Sequence, residues 1–247
     1  MTPPDARPPP RTRLALARCA AAQARLLAVG SFVRRFRLGM AETRGMVAPY
    51  ALAWDEANRL AVSGDAPLWV VLGDSAAQGV GATGYDRGYV GQLREWLSQR
   101  DGVQWRVLNL SRSGARAADV LATQLPALEA LSAAPDLVTC VIGANDLLRT
   151  PLPRLLATFR AIVARLPRGA VIATLPQGLA GRRAVQVNAC IRAEAPRGGL
   201  AVADVWAHTG PPWQGKYARD MFHPNDVGYA DWAAALREAV AAASLPR

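Results

Sequence analysis

The sequence predicts an α/β domain in which helices cover both faces of a parallel sheet. Two observations lead to this class: apolar runs of strand length recur along the chain, and helical patterns lie between them. The runs are nearly continuous rather than alternating, as is typical of strands buried on both faces. Strands that alternate with helices form βαβ units, and these build parallel sheets. The five predicted strands are Leu68–Gly73, Trp105–Leu110, Leu137–Gly143, Ala170–Leu175 and Leu200–Val205.

The clearest helical pattern lies between the third and fourth of these strands, over Pro151–Leu166. Its apolar residues, among them Leu155 and Phe159, recur at the spacing of one helix face. Thr150 followed by Pro151 predicts the start of the helix, as an N-cap and a first-turn proline. The other predicted helices are Tyr89–Gln99, Ala117–Leu131, Arg183–Glu194 and Val227–Ala242.

The charge of the chain is concentrated before the predicted domain. Lys plus Arg outnumber Asp plus Glu by 29 to 19, and nine of the arginines against two acidic residues lie in residues 1–44. We therefore expect residues 1–64 to form a basic, Pro/Arg-rich extension with a helix. Tyr50–Val62 is a candidate for a helix that packs on the domain. The domain itself is expected over residues 65–247. Its near balance of charge, with scattered arginines, argues against a nucleic-acid-binding face.

Residues 11–37 raise the question of a membrane contact. Arg11, Arg18 and Arg25 recur every seven residues, which would align them along one side of a helix suited to an anionic membrane surface. An amphipathic helix packed on the domain, and a solvated tail, are the open alternatives. The longest uncharged run, Leu26–Val33, has eight residues, whereas a membrane span needs about 20. The interrupting arginines also disfavour a secretory signal.

Cysteine usage favours a reducing compartment. There are three cysteines, an odd number with no CxxC spacing, which argues against a disulfide framework and against a zinc site. Cys140 lies in an apolar run and is expected to be a small core residue. We expect a cytoplasmic protein, peripheral to the membrane if residues 11–37 bind it, that uses neither a metal nor another cofactor.

Residues that carry chemistry follow the predicted strands. Ser75 comes two positions after the end of the first strand, Gly114 follows the second and Asn145 follows the third. Ligands of parallel α/β sheets bind at the carboxyl ends of the strands. Near the end of the chain stands His223, one of two histidines, with Asp220 three residues before it.

These residue types match the needs of nucleophilic catalysis. A hydroxyl is a weak nucleophile at its free pKa, so it needs a base, and the base needs a carboxylate to orient it. The tetrahedral intermediate needs hydrogen-bond donors that are fixed beforehand. Backbone N–H groups and a neutral amide are suitable donors. The sequence provides each of these parts once.

The same residues carry a resemblance to a known family. Four short blocks, in the family's order across residues 68–228, are similar to those of SGNH/GDSL hydrolases. The fourth letter of the GDSL motif is often Leu in the family, whereas Ala76 stands here at what is a packing position. The blocks are Gly73-Asp74-Ser75, Gly114, Gly143-x-Asn145-Asp146 and Asp220-x-x-His223-Pro224.

The resemblance implies a three-layer α/β/α, flavodoxin-like fold with a five-stranded parallel sheet. It implies hydrolysis of small-molecule acyl esters or thioesters through an acyl-serine, without a metal, as in esterases and lipases. Ser75 would be the nucleophile and His223 the base, oriented by Asp220. The backbone N–H groups of Ser75 and Gly114 and the side chain of Asn145 would form the oxyanion hole. A sugar or cell-wall deacetylase, and a catalytically silent binding module, are the alternatives.

One other motif deserves comparison. Residues 79–84 match the glycine pattern G-x-G-x-x-G of dinucleotide sites. That fingerprint places its first glycine immediately after the strand, whereas Gly79 comes six positions after Gly73, the end of the predicted strand. The absence of G-x-S-x-G around Ser75 likewise disfavours the α/β-hydrolase fold. Neither alternative fits as well as the serine hydrolase.

Overall fold

The computed structural model describes residues 37–178 and 181–243. Within them lies one sheet of five parallel strands, in the order β2-β1-β3-β4-β5. The predicted parallel α/β/α architecture is confirmed. The strands are β1 Leu68–Gly73, β2 Arg106–Asn109, β3 Leu137–Val141, β4 Val171–Ala173 and β5 Ala201–Ala203.

Helices enclose the sheet from both sides. The chain is helical over residues 37–61, here called α1. A π-helical stretch, Val120–Gln124, joins α3 to α4, and a 3-10 turn, Ala144–Asp146, follows β3. The remaining helices are α2 Tyr89–Asp101, α3 Ala117–Asp119, α4 Leu125–Glu129, α5 Leu152–Arg165, α6 Gly181–Glu194, α7 Val205–His208 and α8 Asp226–Ala243.

Two hydrophobic layers hold the helices to the sheet. Side chains alternate along a strand, so Val70 and Leu72 of β1 pack with α4, α5 and α6. Trp69 and Val71 face the opposite way and pack with α1, α2 and α8. All four are fully buried, which explains why the sequence of β1 is apolar throughout rather than alternating.

The order of the strands determines where a site can form. From β1 the chain moves to β2 on one side and then to β3 on the other. Such a reversal opens a crevice at the carboxyl ends of the central strands. The segment that follows β1 therefore lies at this crevice.

Two predictions of local structure need correction. Strand β1 has the predicted bounds, whereas β2 and β3 are two residues shorter than predicted and β4 and β5 three residues shorter, because the ends of those apolar runs leave the sheet as loops. Helix α5 begins at Leu152 with Pro151 as its N-cap, one residue later than predicted. Thr150 does not cap it, because its hydroxyl donates to Asp146 Oδ1 (2.6 Å) instead.

The predicted membrane contact lies outside the described residues, apart from Arg37, and stays a prediction. The same is true of Cys19 and of the arginines at positions 11, 18 and 25. Among residues 37–178 and 181–243, no helix is both long and apolar enough to cross a membrane.

Candidate active site

Ser75 lies in the tight turn that follows β1. Its carbonyl accepts hydrogen bonds from the N–H groups of Gln78 (3.2 Å) and Val80 (3.1 Å). The Asp74 carboxylate caps the same turn by accepting from the Ala76 N–H at 3.0 Å. A side chain at Gly73 would meet the Val141 carbonyl of the neighbouring strand at 2.7 Å. Only glycine therefore lets the chain turn so close to the sheet and present Ser75 there.

The structure brings Ser75, His223 and Asp220 into one hydrogen-bonded chain. Ser75 Oγ lies 2.9 Å from His223 Nε2, and His223 Nδ1 lies 2.6 Å from Asp220 Oδ2. Since a carboxylate only accepts, Nδ1 carries the proton, and Nε2 is free to accept from the serine hydroxyl. This is the relationship between nucleophile, base and orienting carboxylate that general-base activation of a hydroxyl requires.

Asp220 is buried and strongly hydrogen-bonded. Burial by itself would raise its pKa, but hydrogen bonds from the His223 ring and from the N–H groups of Phe222 and His223 outweigh it. The net effect holds the pKa of Asp220 below its usual value. The two N–H groups donate to Oδ1, each at 3.0 Å. Asp220 is thus kept as a carboxylate beside the imidazole.

The loop that carries His223 makes a tight turn. Met221 has a φ of +55°, in the left-handed region that few side chains adopt. The N–H of Ala218 donates to the His223 carbonyl at 2.8 Å and closes the loop. The Phe222 ring packs edge-on against the imidazole, with 4.9 Å between the ring centroids. Backbone and ring contacts together fix the orientation of His223.

The two other residues predicted at the site, Gly114 and Asn145, lie on the loops after β2 and β3. Asn145 Nδ2 donates to the Ala115 carbonyl (2.9 Å) and approaches Asp74 Oδ2 at 3.4 Å. The first bond orients the amide, and the second N–H makes only this long contact. Gly114 precedes Ala115 and has a φ of +80°. Within residues 37–178 and 181–243, the backbone N–H groups of Ser75 and Gly114 have no hydrogen-bond acceptor.

Asp74 differs from Asp220 in the direction in which its pKa is shifted. Burial raises the pKa of Asp74 to about 6, although the Ala76 N–H and His223 oppose the shift. Cys140, on the adjacent strand, is also buried, and burial raises the pKa of its thiol to about 12. Cys140 is therefore a neutral core residue, as its apolar surroundings predict.

A cleft of about 300 Å³ opens at Ser75 and His223. Such a volume is at the small end of ligand sites. Most of the side chains on its walls are apolar or aromatic, with Gln177 and Asp74 as the polar exceptions besides Ser75 and His223. The apolar and aromatic side chains are Ala76, Ala144, Leu147, Pro176, Trp213, Tyr217, Met221, Phe222, Pro224 and Trp232.

Several residues that support the site were not identified from the sequence. Gln124 is buried, and its side-chain amide accepts from the Gly73 N–H and donates to the Gly73 carbonyl, both at 2.8 Å. Gln78 donates to the Ser111 carbonyl at 3.1 Å and so ties the loops after β1 and β2 together. Glutamines in helical or turn segments carry no sequence signal for such contacts. Met221 and Phe222 did carry a sequence signal, since they stand between Asp220 and His223.

The glycines of residues 79–84 have a structural explanation. Gly81 has a φ of +98°, and a side chain there would lie 2.7 Å from the Cβ of His223 and closer still to the Pro224 carbonyl. The loop therefore packs directly against the histidine loop.

Among the described residues, no group of three or more His, Cys, Asp or Glu side chains could hold a metal ion.

The fold and this arrangement of side chains define a hydrolase of the SGNH type. The chain belongs to the GDSL-like lipase/acylhydrolase family, whose model matches residues 71–230. It is accordingly a hydrolase that acts on esters. No match is found among curated proteins.

Solved structures share the fold. An α/β hydrolase from the metagenome of Lake Arreo, Spain, is 22% identical with a TM-score of 0.60, over 74% of this chain and 99% of that one. The acetylxylan esterase Axe2 of Geobacillus stearothermophilus is 22% identical with a TM-score of 0.58, over 72% and 95% of the two chains. TesA is 24% identical with a TM-score of 0.59, over 71% and 99%.

Proposed function

We propose that the protein is a serine esterase that cleaves acyl esters through an acyl-serine intermediate. The observation that carries this proposal is the continuous chain from Ser75 Oγ to His223 Nε2 (2.9 Å) and from His223 Nδ1 to Asp220 Oδ2 (2.6 Å). It begins in a cleft and ends on a buried carboxylate. A structural serine at the start of a turn would not need a base aligned on its hydroxyl.

The reaction follows the two-step path of serine hydrolases. Ser75 Oγ attacks the ester carbonyl while its proton passes to His223 Nε2. The tetrahedral intermediate collapses, and the departing alkoxide takes that proton and leaves as an alcohol. Water then attacks the acyl-serine, with His223 again as the base, and releases a carboxylic acid and free Ser75. Asp220 stabilises the imidazolium in both steps.

The oxyanion would form within reach of three donors. We assign this role to the unpaired N–H groups of Ser75 and Gly114 and to the second amide hydrogen of Asn145. The bond from Asn145 to the Ala115 carbonyl (2.9 Å) orients the amide before substrate binds. Donors arranged in advance lower the barrier because they need not reorganise as charge develops.

The lining of the cleft supports an apolar acyl group as the part of the substrate that binds there. Trp213, Met221 and Phe222 remain partly exposed at 46%, 64% and 39%, so binding of an acyl chain would remove apolar surface from water. A sugar acetate would instead need polar groups along the walls. For this reason we place acyl-ester cleavage ahead of carbohydrate deacetylation.

The test is hydrolysis of chromogenic esters with short to long acyl chains by wild type and Ser75→Ala. Loss of the nucleophile should lower kcat by about 10⁴-fold or more. Ser132→Ala, at an exposed position in the loop after α4, is the matched control and should keep wild-type rates. Activity that survives in Ser75→Ala would overturn the assignment.

A second readout separates an enzyme from a silent binding module. A serine-directed phosphonate should label wild type at Ser75 and should leave Ser75→Ala unlabelled. Failure to label wild type, together with no turnover of any ester, would favour the binding module. A preference for acetyl esters of sugars over acyl chains would favour the deacetylase.

A further inference from the structure

Helix α1 ends before the family match begins, since α1 covers residues 37–61 and the match starts at residue 71. Two of its side chains, Tyr50 and Trp54, nevertheless donate hydrogen bonds to the loop that carries Ser75. We propose that α1 is a positioning element for the Ser75–His223–Asp220 chain, with Gly39 and Tyr50 as positioning residues. This inference rests on the function proposed above.

Helix α1 contacts the loop that carries Ser75. The Tyr50 hydroxyl donates to the Ala82 carbonyl at 2.9 Å, and Trp54 Nε1 donates to the Gln78 carbonyl at 3.2 Å. The Trp54 ring, only 2% exposed, also packs edge-on against Tyr85 with 5.2 Å between centroids. These bonds satisfy carbonyls of an irregular loop that has no sheet partners, so they restrict how the loop can move.

The same helix touches the loop that carries Asp220 and His223. Gly39 is packed so closely that a Cβ there would lie 2.6 Å from the Asp220 nitrogen and closer still to the Arg219 carbonyl. Backbone therefore meets backbone one residue from the carboxylate that orients His223. The Glu42–Arg219 ion pair on the surface (3.4 Å) lies nearby, but exposed pairs contribute little.

A third contact reaches the end of β2. Asn58 and Asn109 exchange two hydrogen bonds, from Asn58 Nδ2 to the Asn109 carbonyl (2.8 Å) and from the Asn109 N–H to Asn58 Oδ1 (2.7 Å). Asn109 Nδ2 in turn donates to the Ala77 carbonyl at 2.8 Å. Helix α1 thus links the nucleophile loop and the histidine loop through one rigid element. A shift in the position of α1 would therefore alter the distance between the loop that carries Ser75 and the loop that carries His223.

Gly39→Ala tests the inference, with Gly45→Ala as its matched control. Both changes raise helix propensity on the same helix. A Cβ at Gly45 has nothing within 4 Å, whereas one at Gly39 meets the backbone of Arg219 and Asp220. Because small misplacements of reacting groups are costly, we expect Gly39→Ala to lower kcat by roughly tenfold to a hundredfold with KM nearly unchanged. The rate of phosphonate labelling at Ser75 should fall in parallel, and Gly45→Ala should keep wild-type values.

Thermal unfolding of each variant distinguishes a displaced loop from an unfolded protein. If Gly39→Ala does not fold, Tyr50→Phe decides, because it removes only the hydroxyl and its bond to Ala82. Its kcat should fall roughly three- to tenfold, again with KM nearly unchanged.

Equal kcat in Gly39→Ala, Gly45→Ala and wild type would overturn the inference but leave the proposed function intact. A rise in KM with kcat unchanged would also overturn the inference. If wild type shows no Ser75-dependent turnover, the proposed function and this inference fail together.

Discussion

The pKa values of two buried carboxyl groups at the active site, Asp74 and Asp220, are shifted in opposite directions. Both lose hydration, which raises a carboxyl pKa. Asp220 receives three hydrogen bonds of 3.0 Å or less, from the His223 ring and two backbone N–H groups. Asp74 receives one at 3.0 Å from Ala76 and a long contact of 3.4 Å from Asn145. The number of hydrogen-bond donors therefore decides whether the pKa of each buried carboxyl rises or falls.

Asp74→Asn should stabilise the protein at pH 8 but not at pH 4. A folded pKa of about 6, raised from 3.8, means that the folded state holds the proton more tightly. The stability from this group is thus present below about pH 4 and is lost as the pH rises to 6. Asn cannot ionise and keeps an oxygen that accepts from Ala76, so we expect a gain of about 2–3 kcal/mol at pH 8.

Urea unfolding of wild type and Asp74→Asn at the two pH values measures this difference. The exposed Asp65→Asn serves as the control, with little change at either pH. If the variant is no more stable than wild type at pH 8, other interactions of the ionised Asp74 carboxylate offset the cost of burying its charge.

At the scale of elements, the helical segment between β2 and β3 supports the end of β1. The sequence predicts one regular helix over Ala117–Leu131, yet the segment contains a π-helical turn at Val120–Gln124. Gln124 ends this turn, and its amide bonds both the N–H and the carbonyl of Gly73. Gly73 is two residues before Ser75, so these two hydrogen bonds hold the backbone where the turn that carries Ser75 begins.

Gln124→Leu should destabilise the protein by about 2–4 kcal/mol, since it leaves a buried N–H and a buried carbonyl without partners. Free energies of unfolding in urea measure the effect. Gln99→Leu, at an exposed position on α2, provides the comparison and should change stability by less than about 0.5 kcal/mol. Equal stability of the two variants would mean that water replaces the two hydrogen bonds between Gln124 and Gly73.

The elements were predictable where a short-range pattern determines them. Apolar runs identify the strands, and the carboxyl ends of parallel strands meet at one edge, so Ser75, Gly114 and Asn145 were expected together. Asp220 and His223 were predictable as a pair because a histidine base needs a carboxylate to orient it, and Asp220 stands three residues before His223. The π turn that places Gln124 has no such pattern, because its irregularity depends on the fit between Gln124 and Gly73, 51 positions away in sequence.

At the scale of the whole molecule, the contribution of α1 could not be predicted for the same reason. The sequence predicts Tyr50–Val62 as a helix that packs on the domain, but it does not say which surface this helix covers. In the structure Trp54 lies in the same hydrophobic layer as Leu93 of α2, Tyr229 of α8 and Trp69 of β1. Helix α1 is thus part of the core on one face of the sheet.

Trp54→Ala should therefore lower the free energy of unfolding by about 3–5 kcal/mol, as the loss of a large core side chain does. Leu52→Ala, on the same helix but 69% exposed, should change it by less than about 0.5 kcal/mol. Urea unfolding followed by circular dichroism and by the fluorescence of the remaining tryptophans measures both. Coincident transitions from the two probes would show that α1 unfolds together with the sheet. A small effect of Trp54→Ala, or an early transition of part of the helical signal, would mean that α1 is attached to a core that is stable without it.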